Sequence, residues 1–302
     1  MSGMLAIPEI AKQYANKQPL LIDSLTEDAP VLKRFKWEQS THGLWHLAEE
    51  VTDISGAGFV QLDAPLPDMS VETALKKVDL SIMGGLLFVG EDKATQYGGK
   101  DKYLADKLPK LYADSGMNAE KSILYNKIRA SAITYGCAIN AGGAGYSVLC
   151  VRMKAGENGG LYDPKMFKQG TLLETIPLHG GNPYINSKGI VGYGWRSKSY
   201  FGWQVMVKDA NSAVVNIDSS HPLTEAMFDN LLEKAKFDKS GDVIVIAHSN
   251  LRPTFNSFKR SKIQITSAEK KLDVQLDDIN GVPIIYTRNM LAGSESAVTG
   301  IA

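Results

Sequence analysis

Residues 102–136 read KYLADKLPKLYADSGMNAEKSILYNKIRASAITYG, the longest stretch of the chain with a single periodicity. Leu104, Leu108, Leu111 and then Ile123, Leu124, Ile128, Ala132 and Tyr135 recur three and four residues apart. Lys107, Lys110, Glu120, Lys121, Lys127 and Arg129 occupy other faces, and this is the pattern of an amphipathic helix. Pro109 and Gly116 predict a kink or a short break, because proline removes a backbone donor and crowds the preceding turn. Asn118, with Glu120 beyond it, is a candidate N-cap for a restarted second half. At ~1.5 Å rise per residue, about 30 helical residues span ~45 Å, longer than a small domain is wide. Other elements must be strung along this rod.

The whole chain has 302 residues, 44% hydrophobic and 22% charged, which is near the globular average. Its length exceeds what one compact core usually holds, so one elaborate lobe or two are expected. Lys plus Arg and Asp plus Glu balance at 33 each, which removes electrostatic bias toward nucleic acid, membrane or an acidic partner. Copies of a neutral subunit can also crowd together without mutual repulsion. Cys137 and Cys150 make no disulfide framework and read as two buried thiols in a reducing compartment. The start, MSGMLAIPEI, lacks the basic stretch and apolar core of a signal peptide, and the longest apolar run, 82–89, is too short to span a bilayer.

In chain order, residues 1–35 form an arm in which Ile7, Ile10, Ala11 and Tyr14 suit a short amphipathic helix, continued by residues 20–25 in extended or turn form. From 35 to 51 the chain alternates, with Phe35, Trp37, Trp45, Leu47 and Val51 on one side, before the loop Ser55-Gly56-Ala57-Gly58 and Pro65-Leu66-Pro67. The return strand carries Val71, Thr73 and Leu75 in one phase and Val78, Leu80 and Ile82 in the other, which predicts a bulge or strong twist at Lys76 and Lys77. Residues 37–82 thus read as a long two-stranded projection, marginal alone and in need of something to lie on. After the rod, residues 140–145 read as a flexible glycine joint following a helix, 147–153 as a strand packed on the rod, and 154–189 as ordered loop. Val191, Tyr193 and Trp195 alternate against Phe201, Trp203, Val205 and Val207, which reads as a hairpin turning at Ser197-Lys198-Ser199. A second lobe follows: a strand at 214–217, a helix at 222–237, the doubly covered run 243–247, a short helix with Leu251, Phe255 and Phe258, and a strand at 282–287 after Asn280-Gly281.

Catalytic patterns are weak. His42 and His46 lie four apart near Glu49 and Glu50, but on a strand with no third ligand at metal spacing, and read as solvated histidines. Glu49-Glu50 and Asp277-Asp278 are sequence neighbours whose carboxylates point apart on strands. The glycine joint misses both phosphate fingerprints, no G-x-S-x-G elbow exists, and neither cysteine has a nucleophile context. Lys259-Arg260-Ser261-Lys262 is the one dense basic cluster and reads as solvated surface, with contact to DNA or a neighbour as the alternative. No catalytic, cofactor-binding or metal-binding residue is assigned, and no enzyme activity is expected.

The order of elements resembles the Hong Kong 97-type major capsid protein of tailed bacteriophages, nearest its short-tailed, podovirus-like group. The segments LIDSLTEDAPVLKRFKW, KYLADKLPKLY through ITYG, DNLLEKA and NGVPIIYT carry the likeness in that order. The resemblance implies an α+β fold with an N-terminal arm (1–33), an extended β-hairpin loop (34–80), a peripheral domain (81–210) holding the spine helix 102–136, an axial α/β domain (211–286), and a C-terminal segment (287–302) returning toward the peripheral domain. It implies self-assembly into hexamers and pentamers of an icosahedral shell around a double-stranded DNA genome, built in the host bacterial cytoplasm. Implied partners are other copies of the chain, scaffold, portal and decoration proteins, and packaged DNA held without sequence specificity; no membrane and no cofactor are implied. Some family members join the extended loop to a neighbour through a Lys-to-Asn isopeptide bond, but this loop has no Lys between Thr52 and Thr73, so a noncovalent shell is expected. An encapsulin-like cargo shell shares the fold, and a homo-oligomeric hydrolase or sugar-binding protein is the reading from another class.

Overall fold

In a computed structural model, residues 5–6, 28–61, 65–163, 174–262, 278–279 and 281–301 are described. The predicted arm helix around Ile7 to Tyr14 and the segment 20–25 lie outside them. Strand β1 (Leu5–Ala6) pairs with β2 (Lys36–Gln39), and between them the short helix α1 (Pro30–Arg34) begins on a proline whose missing N–H costs nothing there. Strands β3 (Trp45–Ser55) and β4 (Ser70–Asp79) form a two-stranded sheet of their own. β2 lies outside that projection: Trp37 pairs in parallel with Gly160, whose missing side chain makes room for the indole. The bulge lies at Thr52, where Val51 pairs with Thr73 and Asp53 with Glu72, while Lys76 and Lys77 sit in regular register. The phase change along β4 needs no bulge, since Val71 and Leu75 simply point to the opposite face from Val78.

β5 (Ser81–Gly90) leads through α2 (Glu91–Gln96) into the spine, α3 (Lys100–Ile123). The helix runs through Pro109 and Gly116 without the predicted break, and Asn118 bonds one turn back to Asp114 at 3.1 Å instead of capping a new helix. The irregularity comes later, as a π-helical segment (Leu124–Arg129) before α4 (Ala130–Thr134). Its buried stripe passes through Tyr103, Leu108, Tyr112, Gly116, Ala119, Glu120, Ile123, Leu124, Ile128 and Ala132. Leu111, one residue off that stripe and so about 100° away, is exposed, and Leu104 and Tyr135 are only half-buried.

The glycine run follows a short strand, β6 (Ala138–Asn140), and is held in place: Gly143 approaches Asp218 so closely that a Cβ would clash with the carboxylate, which accepts the Ala144 N–H. β7 (Tyr146–Met153) follows. The stretch read as loop contains β8 (Asn158–Tyr162), β9 (Glu174–Pro177) and β10 (Tyr184–Ile185). The expected hairpin at 191–207 is one strand, β11 (Val191–Val205). The odd-numbered residues from Val191 through Trp195, Ser197, Ser199 and Phe201 to Val205 share one phase, so a straight strand satisfies the same alternation as a hairpin with a three-residue turn. Ser197 is paired on both sides, to Gly85 of β5 and Thr175 of β9. One edge of β11 carries β5, the other is divided among β10, β9 and β8, and β2 and β1 extend the sheet to seven strands.

The last elements are β12 (Asn211–Ile217), α5 (Glu225–Lys234), capped by the Thr224 hydroxyl accepting from the Met227 N–H, β13 (Asp242–His248), α6 (Arg252–Lys262), β14 (Asp278–Ile279) and β15 (Val282–Thr287). With β6 and β7 these strands form a six-stranded sheet in the order β14-β15-β13-β7-β12-β6. Leu149, Val151, Ile244 and Ile246 face one cluster with Ile123, Leu124 and Ile128 of the spine segment. Val148, Cys150, Val245 and Ala247 face the other, with Phe228, Leu231 and Phe255. Both faces of the sheet are covered, which is why its central strands read as continuous apolar runs.

Candidate assembly surfaces

The hairpin β3–β4 has two unlike faces. His46 and Ala48 are buried toward the body, and the Lys76 ammonium reaches the Val205 carbonyl at 3.2 Å and the Glu50 carboxylate at 3.3 Å. Burial lowers the pKa of His46, with Glu38 opposing, so the ring is neutral at pH 7. At the root the His42 and Trp45 rings stack at 3.7 Å. On the other face Ile54, Val71 and Leu75 stand 65%, 63% and 69% exposed, and the loop beyond adds Phe59, Leu66 and Met69. Of the sixteen large hydrophobic side chains exposed among the described residues, ten fall between Leu44 and Leu86. Scattered apolar residues are ordinary, but a concentration of this kind makes the hairpin and its loop a candidate interaction surface.

A second construction holds the body together beneath the hairpin. Glu120, fully buried midway along the spine, accepts the Val31 and Leu32 N–H groups at 2.9 and 3.1 Å, the Thr287 hydroxyl at 2.5 Å and the Asn289 amide at 3.0 Å. It caps α1, whose own N-cap, Ala29, has no side chain to do so. Burial raises its pKa against the pull of these hydrogen bonds. One further turn along, the wide π segment brings Tyr125 and Arg129 together onto Glu295, at 2.5 and 2.9 Å, and Ser147 donates to the same carboxylate. Burial and the Glu295 charge push the Tyr125 phenol well above its usual range. The spine thus ties segments near both ends of the described chain. Sequence reading placed Glu120 on the wet side; its spacing, four residues after Gly116 and four before Leu124, was the signal that it lies on the stripe.

The structure does not gather the residues singled out for chemistry. His42 is exposed, His46 is buried on the hairpin's inner face, and Glu49 and Glu50 pair with Leu75 and Ala74 on opposite faces. Among the described residues no group of three His, Cys, Asp or Glu side chains is placed to hold a metal. Cys150 is buried, which pushes its thiol up to about 12, whereas Cys137 is only half-buried. Asp277 and the side chains of Asp278 and 259–262 lie outside what is described. No helix among the described residues is long and apolar enough to cross a membrane.

The architecture is the Hong Kong 97-type capsid fold, with its spine helix, extended hairpin and lateral α/β sheet. The chain is similar to the bacteriophage Epsilon15 structure with a TM-score of 0.57 and 14% identity, covering 87% of this chain and 88% of that one. The bacteriophage JBD30 capsid matches with a TM-score of 0.51 and 9% identity over 84% and 88% of the two chains, and the JBD30 procapsid with 0.50 and 9% over 93% and 96%. No protein-family model and no curated protein sequence matches the chain.

Proposed function

We propose that this chain is a major capsid protein that self-assembles, without covalent crosslinks, into an icosahedral shell enclosing a double-stranded DNA phage genome. The observation that carries the reading is the β3–β4 hairpin, a two-stranded sheet on whose outer face and tip Ile54, Val71, Leu75, Phe59, Leu66 and Met69 are exposed among the described residues. Two strands alone are marginal in water, and covering Ile54, Val71 and Leu75 on a neighbour is worth about 1.5 to 3 kcal/mol for each side chain. A balanced charge of 33 basic and 33 acidic residues lets copies pack closely. The division into arm (1–33), extended loop (34–80), peripheral domain (81–210), axial domain (211–286) and returning C-terminal segment (287–302) belongs to the same proposal. So do hexamers and pentamers as building units, scaffold, portal and decoration proteins as partners, the absence of enzyme activity, and assembly in the bacterial cytoplasm into the virion shell.

The test is negative-stain electron microscopy and sedimentation of the expressed wild-type protein beside Phe59→Asp. Wild type should form closed particles, alone or with the products of neighbouring genes, and the variant should remain as small oligomers. Wild-type protein that stays dimeric under every such condition and turns over a substrate would overturn the reading in favour of a hydrolase. Particles from infected cells that hold one packaged enzyme and no DNA would replace the phage shell with a cargo shell of encapsulin type.

A further inference from the structure

The end of β13, the start of α6 and the end of β15 surround a cleft of about 600 Å³. His248, Ser249, Asn250, Arg252, Tyr286 and Arg288 line it, and no carboxylate of the described residues does. His248 is only 5% exposed. Its Nδ1 accepts the Asn250 N–H at 3.0 Å, so the ring proton of the neutral imidazole must sit on Nε2, where it is a donor. Burial keeps the ring neutral at pH 7 by lowering its pKa. The Arg252 guanidinium lies over the Tyr286 ring at 4.9 Å. Stacking uses the flat face of the guanidinium and leaves its N–H edge free. Neither Arg252 nor Arg288 has an ion-pair partner among the described residues. Glu295, the acid whose field reaches His248, is already paired with Arg129.

A cleft lined by two arginines and a neutral imidazole, with no acid among the described residues that line it, suits an acceptor of high charge. We propose that it binds a phosphoryl oxyanion. A tetrahedral phosphate presents several acceptor oxygens at once and its double charge matches two arginines, which a single carboxylate does not. The volume leaves room for a group larger than one phosphate, so phosphate, pyrophosphate and a phosphodiester are the sources to separate. The proposal stands on this cleft alone and holds whether or not the chain assembles.

The experiment titrates inorganic phosphate and pyrophosphate into the full-length protein by calorimetry at low salt, with acetate as the control, for wild type, Arg252→Gln and Arg288→Gln. Saturable binding with one site per chain is expected, weaker by about tenfold in each variant. Melting in anion-free buffer is followed alongside, and both exposed arginines should be replaceable without loss of fold. A mixed-sequence DNA duplex is then added as competitor. Displacement of pyrophosphate by the duplex supports a phosphodiester source, and binding undisturbed by the duplex supports a free phosphate. Wild type that shows no saturable binding into the millimolar range, or that binds acetate equally, overturns the proposal without recourse to any variant. Binding that survives unchanged in both variants overturns it as well.

Discussion

Strand β13 and the outer face of the hairpin β3–β4 both carry apolar side chains, yet these meet opposite fates. In β13 the side chains from Ile244 to Ala247 are all buried, with β15 and β7 on its edges and a hydrophobic cluster on each face. Among the described residues the hairpin has no strand beyond its own two, and Ile54, Val71 and Leu75 on its outer face are exposed. The difference separates two uses of apolar surface. In the sheet it folds the subunit, and in the hairpin, on the proposed function, it is left for a neighbouring copy. Substitutions in the two regions should therefore dissociate folding from assembly.

The largest effect on the subunit is expected from Ile128→Asp, which buries an unpaired charge where the spine meets the sheet. It should cost at least about 4 kcal/mol and remove soluble protein; normal yield would mean that this stripe faces water. Glu120→Gln comes next, at about 1 to 3 kcal/mol, because a carboxylate that accepts four hydrogen bonds is replaced by a group with one accepting oxygen. Its pH dependence is a sharper test. The folded-state pKa is raised above 4.5, so the folded chain holds this proton more tightly than the unfolded chain. The group's contribution to stability therefore rises as pH falls from the folded pKa to about 4.5 and is level below. Wild type should gain melting temperature relative to the variant as pH is lowered through that window. A constant difference would show that the carboxyl is not perturbed by its burial.

Lys76→Ala should cost about 1 kcal/mol by releasing the hairpin from the Val205 carbonyl and removing the ion pair to Glu50 within the hairpin. Urea melts would show a small shift, and a shift as large as that of Ile128→Asp would make the hairpin part of the folding core. Phe59→Asp should change subunit melting least, within about 0.5 kcal/mol, while assembly fails. A loss of about 1.4 kcal/mol per contact is a tenfold change in each contact's constant, multiplied around a closed shell. If the variant melts as low as a core substitution, Phe59 belongs to the subunit and the contrast drawn here collapses.

Much of the fold was legible because local periodicity and burial agreed. The spine, the 243–247 run and the strand from Val282 to Thr287 were read directly. Where reading failed, the pattern was degenerate. Period-two alternation is the same for β11 as one strand and as a hairpin, and only the partners of Ser197 in β5 and β9 decide between them. Trp37 alternates with Trp45 and seemed to continue it, but its partner Gly160 is more than a hundred residues away. Glu120 was missed because a charge on a helix is usually wet. Its four donors lie in segments near residues 31 and 287, which no local window contains. Of the candidate surface, the glycine loop at 55–58 was visible in advance. The apolar outer face of Ile54, Val71 and Leu75 was hidden by the reading of a bulge at Lys76.

The place of β7 in the six-stranded sheet bears on how the chain is made. It lies between β12 and β13, and synthesis of β13 begins 89 residues after that of β7 ends (242 − 153). At about 5 to 20 residues per second that is a wait of roughly 5 to 20 seconds. Glu120 waits longer still, for Thr287 and Asn289. A chain broken off before residue 242 keeps an open β7 edge and a buried carboxylate short of donors, both of which favour unfolding. The late closure of the sheet thus leaves a truncated chain less stable than the complete one.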